Sequence, residues 1–202
     1  MAKDINSKRF SEETRLKLDI FQDCFKEWLP VFIQQPYWRK LYIYDFFAGS
    51  GYDTEGNPGS PMILLEETVS LQKSIVEKQK NVILNFNEYK KRKQQQLQTN
   101  IEEYLLEYRN DHDCKDYPFE VNITNYNFSE DFKNNNQTQF ILNNKQCAKF
   151  VILDQYGFTQ VDAEIFLKLV NAPHTDFIFF ISSSYLKQPY NYAIFIYINQ
   201  FC

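Results

Sequence analysis

The sequence is poor in the residues on which several common kinds of active site depend. Its 202 residues include only two histidines, His112 and His174, and four cysteines that are scattered without a C-x-x-C pair. A zinc site or a Ser-His-Asp triad therefore has little material to build on, and no metal site is predicted. The cysteine spacing is typical of free thiols in a reducing cytoplasm.

Long apolar runs and net positive charge are also missing. No run approaches the ~18 residues that a membrane span needs, and the N-terminus MAKDINSKRFSEETR has no apolar signal-peptide core. We therefore expect a cytoplasmic protein without a membrane partner. The net charge of −4 and the pI near 5.3 argue against a broadly nucleic-acid-binding surface. The run Lys90-Lys91-Arg92-Lys93 leaves contact with a nucleic acid open, although the start of a solvated helix is the preferred interpretation.

Glycine is scarce too, and its distribution is uneven. Four of the five glycines lie in DFFAGSGYDTEGNPGSP, which runs from Asp45 to Pro61, and the fifth, Gly157, lies in LDQYGF. Glycine suits backbone with positive φ, or backbone that closely approaches another group. We therefore expect both segments to border one ligand site.

Hydrophobic periodicity predicts alternating helices and strands. Ser11, followed by two acids, is a plausible helix N-terminus, and apolar residues then recur at helical spacing as far as Phe32. We expect this helix, within residues 1–39, to pack on an α/β core formed by residues 40–202. Five strands are predicted in that core: KLYIYDFF, NVILNFNE, PFEVNITNYN, KFVILDQYGF and DFIFFISSS. The helical segments between them indicate a doubly wound, mostly parallel, Rossmann-like sheet.

Two helix boundaries can also be predicted. Gly59-Ser60-Pro61 indicates a helix start, with Ser60 as the N-cap and Pro61 at the first helical position. The Asn-rich segment FSEDFKNNNQTQFILNN is ambiguous, and we expect a helix that is interrupted near residues 134–136.

Polar residues follow the predicted strands at the edge where parallel sheets bind ligands. Asp45, Glu88, Asn125 and Asp154 lie at or just past strand ends. Asp45 begins a D-x-x-x-G-x-G turn, where a carboxylate would repel a pyrophosphate but attract the cationic amino and sulfonium groups of S-adenosylmethionine. Glu88 is placed to bind ribose hydroxyls. This pattern favours S-adenosylmethionine over NAD, because the G-x-G-x-x-G turn of proteins that bind NAD should lead directly into a helix. A tight turn with two incidental acids is the structural alternative.

The second group of candidate residues lies in LDQYGF, at the end of the fourth strand. Asp154 would hold or deprotonate a nucleophile, and Tyr156 would pack on a planar group, as in the D/N-P-P-Y/F turn of methyltransferases that modify amines. Gln155 stands where that pattern has its first proline. The alternative is a strand-end Asp that caps the next turn. Asn125 and Asn127 are candidates for recognising an adenine edge, but a structural role is preferred in so Asn-rich a chain.

These segments together resemble a known family. TRLKLDIFQDCFKEWLPVF, YIYDFFAGSGYDTEGNPGSPMILLEE and LDQYGF are similar to the three-Cys-motif partner family (TcmP). The pattern of that family has a T-x-x-K-L helix, a D-x-FAG-x-G turn, a Y-x-x-G-x-x-GSP loop and a D-P-Y/F-G strand end. The resemblance implies a bacterial, S-adenosylmethionine-dependent methyltransferase fold and a partner protein with a three-cysteine, iron–sulfur-type motif. The residues that it implies at the cofactor turn are Asp45, Phe46, Ala48, Gly49, Ser50 and Gly51.

From these features we predict transfer of a methyl group from S-adenosylmethionine to an amine or nucleobase. The cofactor turn and Glu88 would hold the cofactor, and Asp154 with Tyr156 would be the catalytic residues. The alternative is a catalytically silent methyltransferase-fold binding module that acts with the iron–sulfur-type partner. The last strands of a methyltransferase sheet are not recognisable, so we expect PYNYAIFIYINQFC to be a truncated or shifted tail.

Overall fold

The fold is that of a computed structural model, which describes residues 9–112, 116–155, 160–182 and 192–197. None of the described helices is long and apolar enough to cross a membrane. The elements along the chain are α1 (Glu12–Gln34), β1 (Lys40–Asp45), α2 (Ser60–Ser70), α3 (Gln72–Glu77), β2 (Asn81–Asn87), α4 (Lys91–His112), β3 (Phe119–Thr124), α5 (Phe128–Asn134), α6 (Asn136–Asn143), β4 (Cys147–Leu153), α7 (Ala163–Val170), β5 (Thr175–Ser182) and β6 (Tyr192–Tyr197).

The strands form one sheet in the order β3-β2-β1-β4-β5-β6. Neighbouring strands from β3 to β5 are parallel, whereas β6 pairs antiparallel with β5. Every residue of β4 is buried, Lys149 included, which suits a central strand that is covered on both faces. The predicted α/β class and parallel sheet are therefore confirmed, and the arrangement is compatible with a Rossmann-like fold.

Helices cover both faces of this sheet. On one face Phe25 of α1, Leu64 of α2 and Leu97 of α4 belong to the same buried cluster as the inward residues of β1, β2 and β4. On the other face Phe132 of α5 and Ile165 of α7 pack with the opposite side of β1 and β4, and with β5. The strand order reverses between β1 and β4, and in such sheets the crevice beyond the strand ends at this point is the usual ligand position.

The first helix is joined to the sheet through a continuous apolar stripe. Its N-cap is Ser11, as predicted, whose hydroxyl oxygen accepts the Thr14 N–H at 3.2 Å. Leu18 to Ile33 supply the buried stripe, and Pro30 lies within the helix without ending it. The indole of Trp28 donates to the Asp176 carboxylate of β5 at 2.7 Å. This helix thus contributes to the core that the sheet forms.

Two local predictions differ from the structure. The prediction of Ser60 as an N-cap is wrong, because α2 begins at Ser60 itself and its N-cap is Gly59, which has no side chain to cap with. The C-terminal segment contains the strand β6, which we did not predict, although its aromatic and β-branched residues are typical of strands.

The interruption in the Asn-rich segment is confirmed, since α5 and α6 are separated at Asn135. Cys24 and Cys147 are free thiols, as expected.

Candidate functional site

Three carboxylates lie along the carboxyl edge of β2, β1 and β4. In the parallel register Asp45, the last residue of β1, is opposite Phe86 of β2 and Ile152 of β4. Glu88 and Asp154 each lie two residues beyond those partners. Because side chains alternate along a strand, this register assigns all three acids to the face that α1, α2 and α4 cover. The structure thus brings together three of the side chains that the sequence places at strand ends.

Asp45 is fully buried and only partly satisfied. Its Oδ1 accepts the Phe47 N–H at 3.0 Å, whereas Oδ2 has no hydrogen-bond partner among the described residues. The Ser60 hydroxyl lies near enough to lower the pKa of this carboxyl group, but its geometry does not meet that of a hydrogen bond to Oδ2. Burial raises the pKa of Asp45 to about 7; Asp154 and Glu88 add to the rise, and Ser60 and Phe47 oppose it. An oxygen in this state is costly, and a ligand cation or donor would satisfy it.

Glu88 is half-buried and lies in the turn that follows β2. Its Oε1 accepts the Lys90 N–H at 2.7 Å. The Asn125 side chain donates to the carbonyl oxygens of Glu88 and Tyr89, both at 2.6 Å. Asn127 caps α5 with its side-chain oxygen. Both asparagines are therefore engaged with backbone, which confirms the structural interpretation preferred for them.

Asp154 forms an ion pair that the sequence did not predict. Its Oδ2 is 2.5 Å from the Lys17 ammonium of α1, and both side chains are largely buried, with 24% and 15% of their surface exposed. The ammonium also lies 4.5 Å from the centre of the Phe180 ring on β5. Oδ1 of Asp154 accepts no hydrogen bond from the described residues. One oxygen of this acid is thus fixed to α1, and the other has no bond within the described part of the chain.

The turn after β1 presents mainly backbone to the edge. The Phe46 ring packs on the opposite face of the sheet, 4.7 Å from the Phe128 ring, so it is not available to a ligand beside Asp45. Ala48 is buried and donates its N–H to the Asn87 carbonyl at 3.0 Å. The Ser50 hydroxyl donates to the Tyr52 carbonyl at 3.2 Å. Any cofactor contact from this turn would therefore come from its backbone.

The glycines of the turn allow close approaches within the protein. Gly49 and Gly51 have φ angles of 70° and 95°, which favour glycine. A Cβ on Gly51 would lie 3.3 Å from Leu97 and Asn100 of α4. A Cβ on Gly59 would lie 3.0 Å from the Gly51 carbonyl oxygen, which accepts the Gly59 N–H at 2.7 Å. At Gly51 the close neighbour is thus α4, which is a structural reason for this residue beside the cofactor contact predicted for it.

Asp53 holds the glycine loop in shape. Its Oδ1 accepts the N–H groups of Glu55 and Asn57, and its Oδ2 accepts the Phe10 N–H and the Asn57 side-chain amide, all within 2.8–2.9 Å. Burial acts to raise its pKa, but these hydrogen bonds outweigh it and lower the pKa to about 2. Asp53 therefore differs from Asp45: both oxygens of its carboxylate accept hydrogen bonds, and its pKa is lowered rather than raised.

Asn87, the last residue of β2, ties the strand ends together. Its amide nitrogen donates to the carbonyls of Phe46 and Tyr126 at 3.2 Å, and its oxygen accepts the Tyr126 N–H and the Thr124 hydroxyl at 3.1 Å. The residue is 3% exposed. These four bonds connect the turns after β1, β2 and β3, so Asn87 positions the edge on which the acids lie.

The end of LDQYGF lies outside the described residues, and with it the predicted acceptor residue Tyr156 and the glycine Gly157. Gln155 is described, and its contacts give a structural reason for a glutamine where the D-P-Y/F-G pattern has a proline. Its side-chain oxygen accepts the N–H groups of Gln160 and Val161 at 3.0 and 2.9 Å. A proline at this position has no side-chain acceptor, so here the glutamine side chain fastens the chain beyond the turn.

Lys17 and Asn87 are the two side chains of this edge that sequence reasoning missed. Lys17 is the lysine of the T-x-x-K-L pattern, so the motif itself was the available signal. Asn87 had none, because it looked like one more asparagine in an Asn-rich chain. Within the described ranges, no group of three or more His, Cys, Asp or Glu lies close enough to hold a metal ion. Comparison with protein-family models, with curated proteins and with solved structures gave no match.

Proposed function

We propose that the protein binds S-adenosylmethionine at the carboxyl edge of its sheet and transfers the methyl group to an amine or nucleobase. The observation that carries this proposal is the buried Asp45 carboxyl group, whose Oδ2 has no partner in the described part of the chain and which interacts with Glu88 and Asp154. Acids alone would not indicate a ligand. A buried oxygen without a donor, at the point where the strand order reverses, is the feature that does.

The charge of this edge favours one of the ligand classes considered over the other. A cation about 4 Å from an ionised Asp45 would gain ~4 kcal/mol at an effective dielectric constant of ~20. With a pKa of about 7, ionising Asp45 costs little at neutral pH, so this gain is nearly all retained. The phosphates of NAD would meet repulsion of similar size. A sulfonium nucleoside with an ammonium group is therefore favoured over a dinucleotide.

Each residue has a distinct task in this proposal. Asp45 attracts the positive end of the cofactor, Glu88 accepts hydrogen bonds from the ribose hydroxyls, and the turn after β1 lets the ligand approach backbone. The cofactor supplies an activated methyl group when it is bound. Oδ1 of Asp154 accepts a hydrogen bond from the nucleophile and orients it. We expect most of the rate enhancement to come from this alignment rather than from a strong base.

Calorimetric titration tests the ligand class. S-adenosylmethionine and S-adenosylhomocysteine should both bind, and NAD should give no heat. Tighter binding of NAD than of either nucleoside would refute the proposal. Turnover is then followed as release of S-adenosylhomocysteine with candidate amines and nucleic acids. Asp154→Ala should abolish that release and change cofactor affinity far less, although it also frees Lys17 from its ion pair. Equal losses in both would remove Asp154 from the acceptor role.

The Lys17–Asp154 ion pair favours a second candidate function. It engages one oxygen of the acid that the transfer reaction would use. In this alternative the protein binds S-adenosylmethionine without turnover and acts as a binding module with a three-cysteine, iron–sulfur-type partner. Saturable cofactor binding, with no product formed from any acceptor until the partner is added, is the result that would separate the two functions.

A further inference from the structure

The charges of the site are arranged in a fixed order along the sheet edge. Lys17 lies over Phe180 of β5 and pairs with Asp154, which follows β4. Asp45 ends β1, the neighbour of β4, and Glu88 follows β2, the next strand. From β5 to β2 the edge therefore presents one ammonium group and then three carboxyl groups. A ligand that matches this order has an anionic end, then cationic groups, and then hydroxyl groups.

We infer that Lys17 binds the carboxylate of an amino-acid end on the ligand, so that the ligand lies along the edge with this end toward β4. The inference rests on the proposed function, because S-adenosylmethionine has these groups in this order: carboxylate, ammonium, sulfonium and ribose. It assigns Lys17 to the binding site, in addition to its contact with Asp154. It also fixes the direction of the ligand, with the ribose at Glu88.

The environment of Lys17 suits a second anionic partner. Its ammonium has three donors, and the hydrogen bond to Asp154 uses one of them. The side chain is 15% exposed, so the ammonium group is largely desolvated but still accessible from solvent. An ammonium held by one carboxylate and one aromatic face is fixed in place before the ligand arrives, which lowers the entropic cost of binding.

The test compares two neutral-sulfur ligands that differ in one group. S-adenosylhomocysteine carries the carboxylate, and decarboxylated S-adenosylhomocysteine lacks only that group. The wild-type protein should bind the first on the order of tenfold to a hundredfold more tightly, since close charge pairs at interfaces have coupling energies of this order. Lys17→Met should remove this preference, and Lys17→Arg should keep part of it. The variant Lys26→Met is the matched control, because Lys26 of the same helix pairs with Glu67 of α2.

The comparison of ligands separates a binding role from a structural one. Loss of a merely structural ion pair would weaken the binding of both ligands equally and leave the ratio of their affinities unchanged. Equal affinities in the wild type, or a preference that survives Lys17→Met, would overturn the inference while leaving the proposed function intact. If neither ligand binds the wild type, the proposed function and this inference both fail. The wild-type ratio needs no variant, so the test holds even if Lys17→Met does not fold.

Discussion

Replacing Asp45 with Asn should stabilise the folded protein at neutral and alkaline pH. An asparagine keeps the shape of the side chain and the oxygen that accepts the Phe47 N–H. It puts an NH₂ group beside the Ser60 hydroxyl, in the place of the oxygen that has no donor among the described residues. Above all, it removes a buried charge, and uncompensated buried charges destabilise folded proteins.

The size of the effect follows from the pKa. The pKa of Asp45 rises from 3.8 to about 7 on folding, a change of about 3 units at ~1.4 kcal/mol each, or ~4 kcal/mol in all. Between these values the folded protein holds a proton that the unfolded chain has released. Stability therefore falls as pH rises from about 4 to 7, and the full cost is present above pH 7. Since asparagine does not ionise, the advantage of the variant should be near zero at about pH 4 and ~4 kcal/mol at about pH 8, less ~1 kcal/mol for imperfect amide hydrogen bonding.

Urea unfolding of both proteins at about pH 5 and pH 8 measures this difference. Asp53→Asn is an informative control, because the carboxylate of Asp53 is satisfied by four donors and its pKa is lowered to about 2. That variant should lose ~2 kcal/mol or more at pH 8, the opposite sign. If Asp45→Asn proves less stable at pH 8, or its effect does not change with pH, then Asp45 is not a strained buried acid and the argument for a cation site collapses.

Three further changes test other parts of the structure. Lys149 is fully buried, and burial lowers its pKa to about 8. The stability of the wild type relative to Lys149→Met, measured by urea unfolding, should therefore rise by ~3 kcal/mol between about pH 8 and 10.5. A stability difference that does not change with pH would show that the lysine is solvated. Asn87→Asp places a carboxylate against two carbonyl oxygens and should cost ~3 kcal/mol and weaken binding of S-adenosylmethionine. Asn122→Asp, which loses one exposed hydrogen bond to Asn85, should cost ~1 kcal/mol or less and leave binding unchanged. Gly59→Ala brings a Cβ to 3.0 Å from a backbone oxygen and should lower thermal stability by ~1–3 kcal/mol; an unchanged midpoint would mean that the loop can relax.

The order of helices and strands was predictable because most strands of the sheet are buried on both faces. In KFVILDQYGF the continuous apolar run FVIL is bounded by polar residues, and β4 is accordingly buried along its whole length. The start of α2 was not predictable in detail. A serine before a proline is a common N-cap signal, but here the chain is already helical at Ser60 because Gly59, packed against the Gly51 carbonyl, occupies the capping position.

The site was predictable in its acids but not in its contacts. Asp45, Glu88 and Asp154 follow strands, and parallel pairing brings the ends of neighbouring strands to one edge whatever the loops between them. The Lys17–Asp154 pair joins residues that are 137 positions apart, and no local pattern encodes such a contact. The turn motif does not show the orientation of Phe46, but alternation along the strand does: Phe46 directly follows Asp45 and lies on the opposite face.

The most direct test of the cation site is titration of the wild type and of Asp45→Asn with S-adenosylmethionine at about pH 6 and pH 8. With a pKa of about 7, Asp45 is ionised about tenfold more often at pH 8 than at pH 6. The wild-type affinity should therefore rise by up to about tenfold, whereas the variant should bind more weakly and without that rise. The α-amino group of the ligand, which titrates near pH 8, is common to both titrations and cancels in the comparison. Equal affinities of the two proteins at both pH values, or no binding to the wild type, would contradict the account.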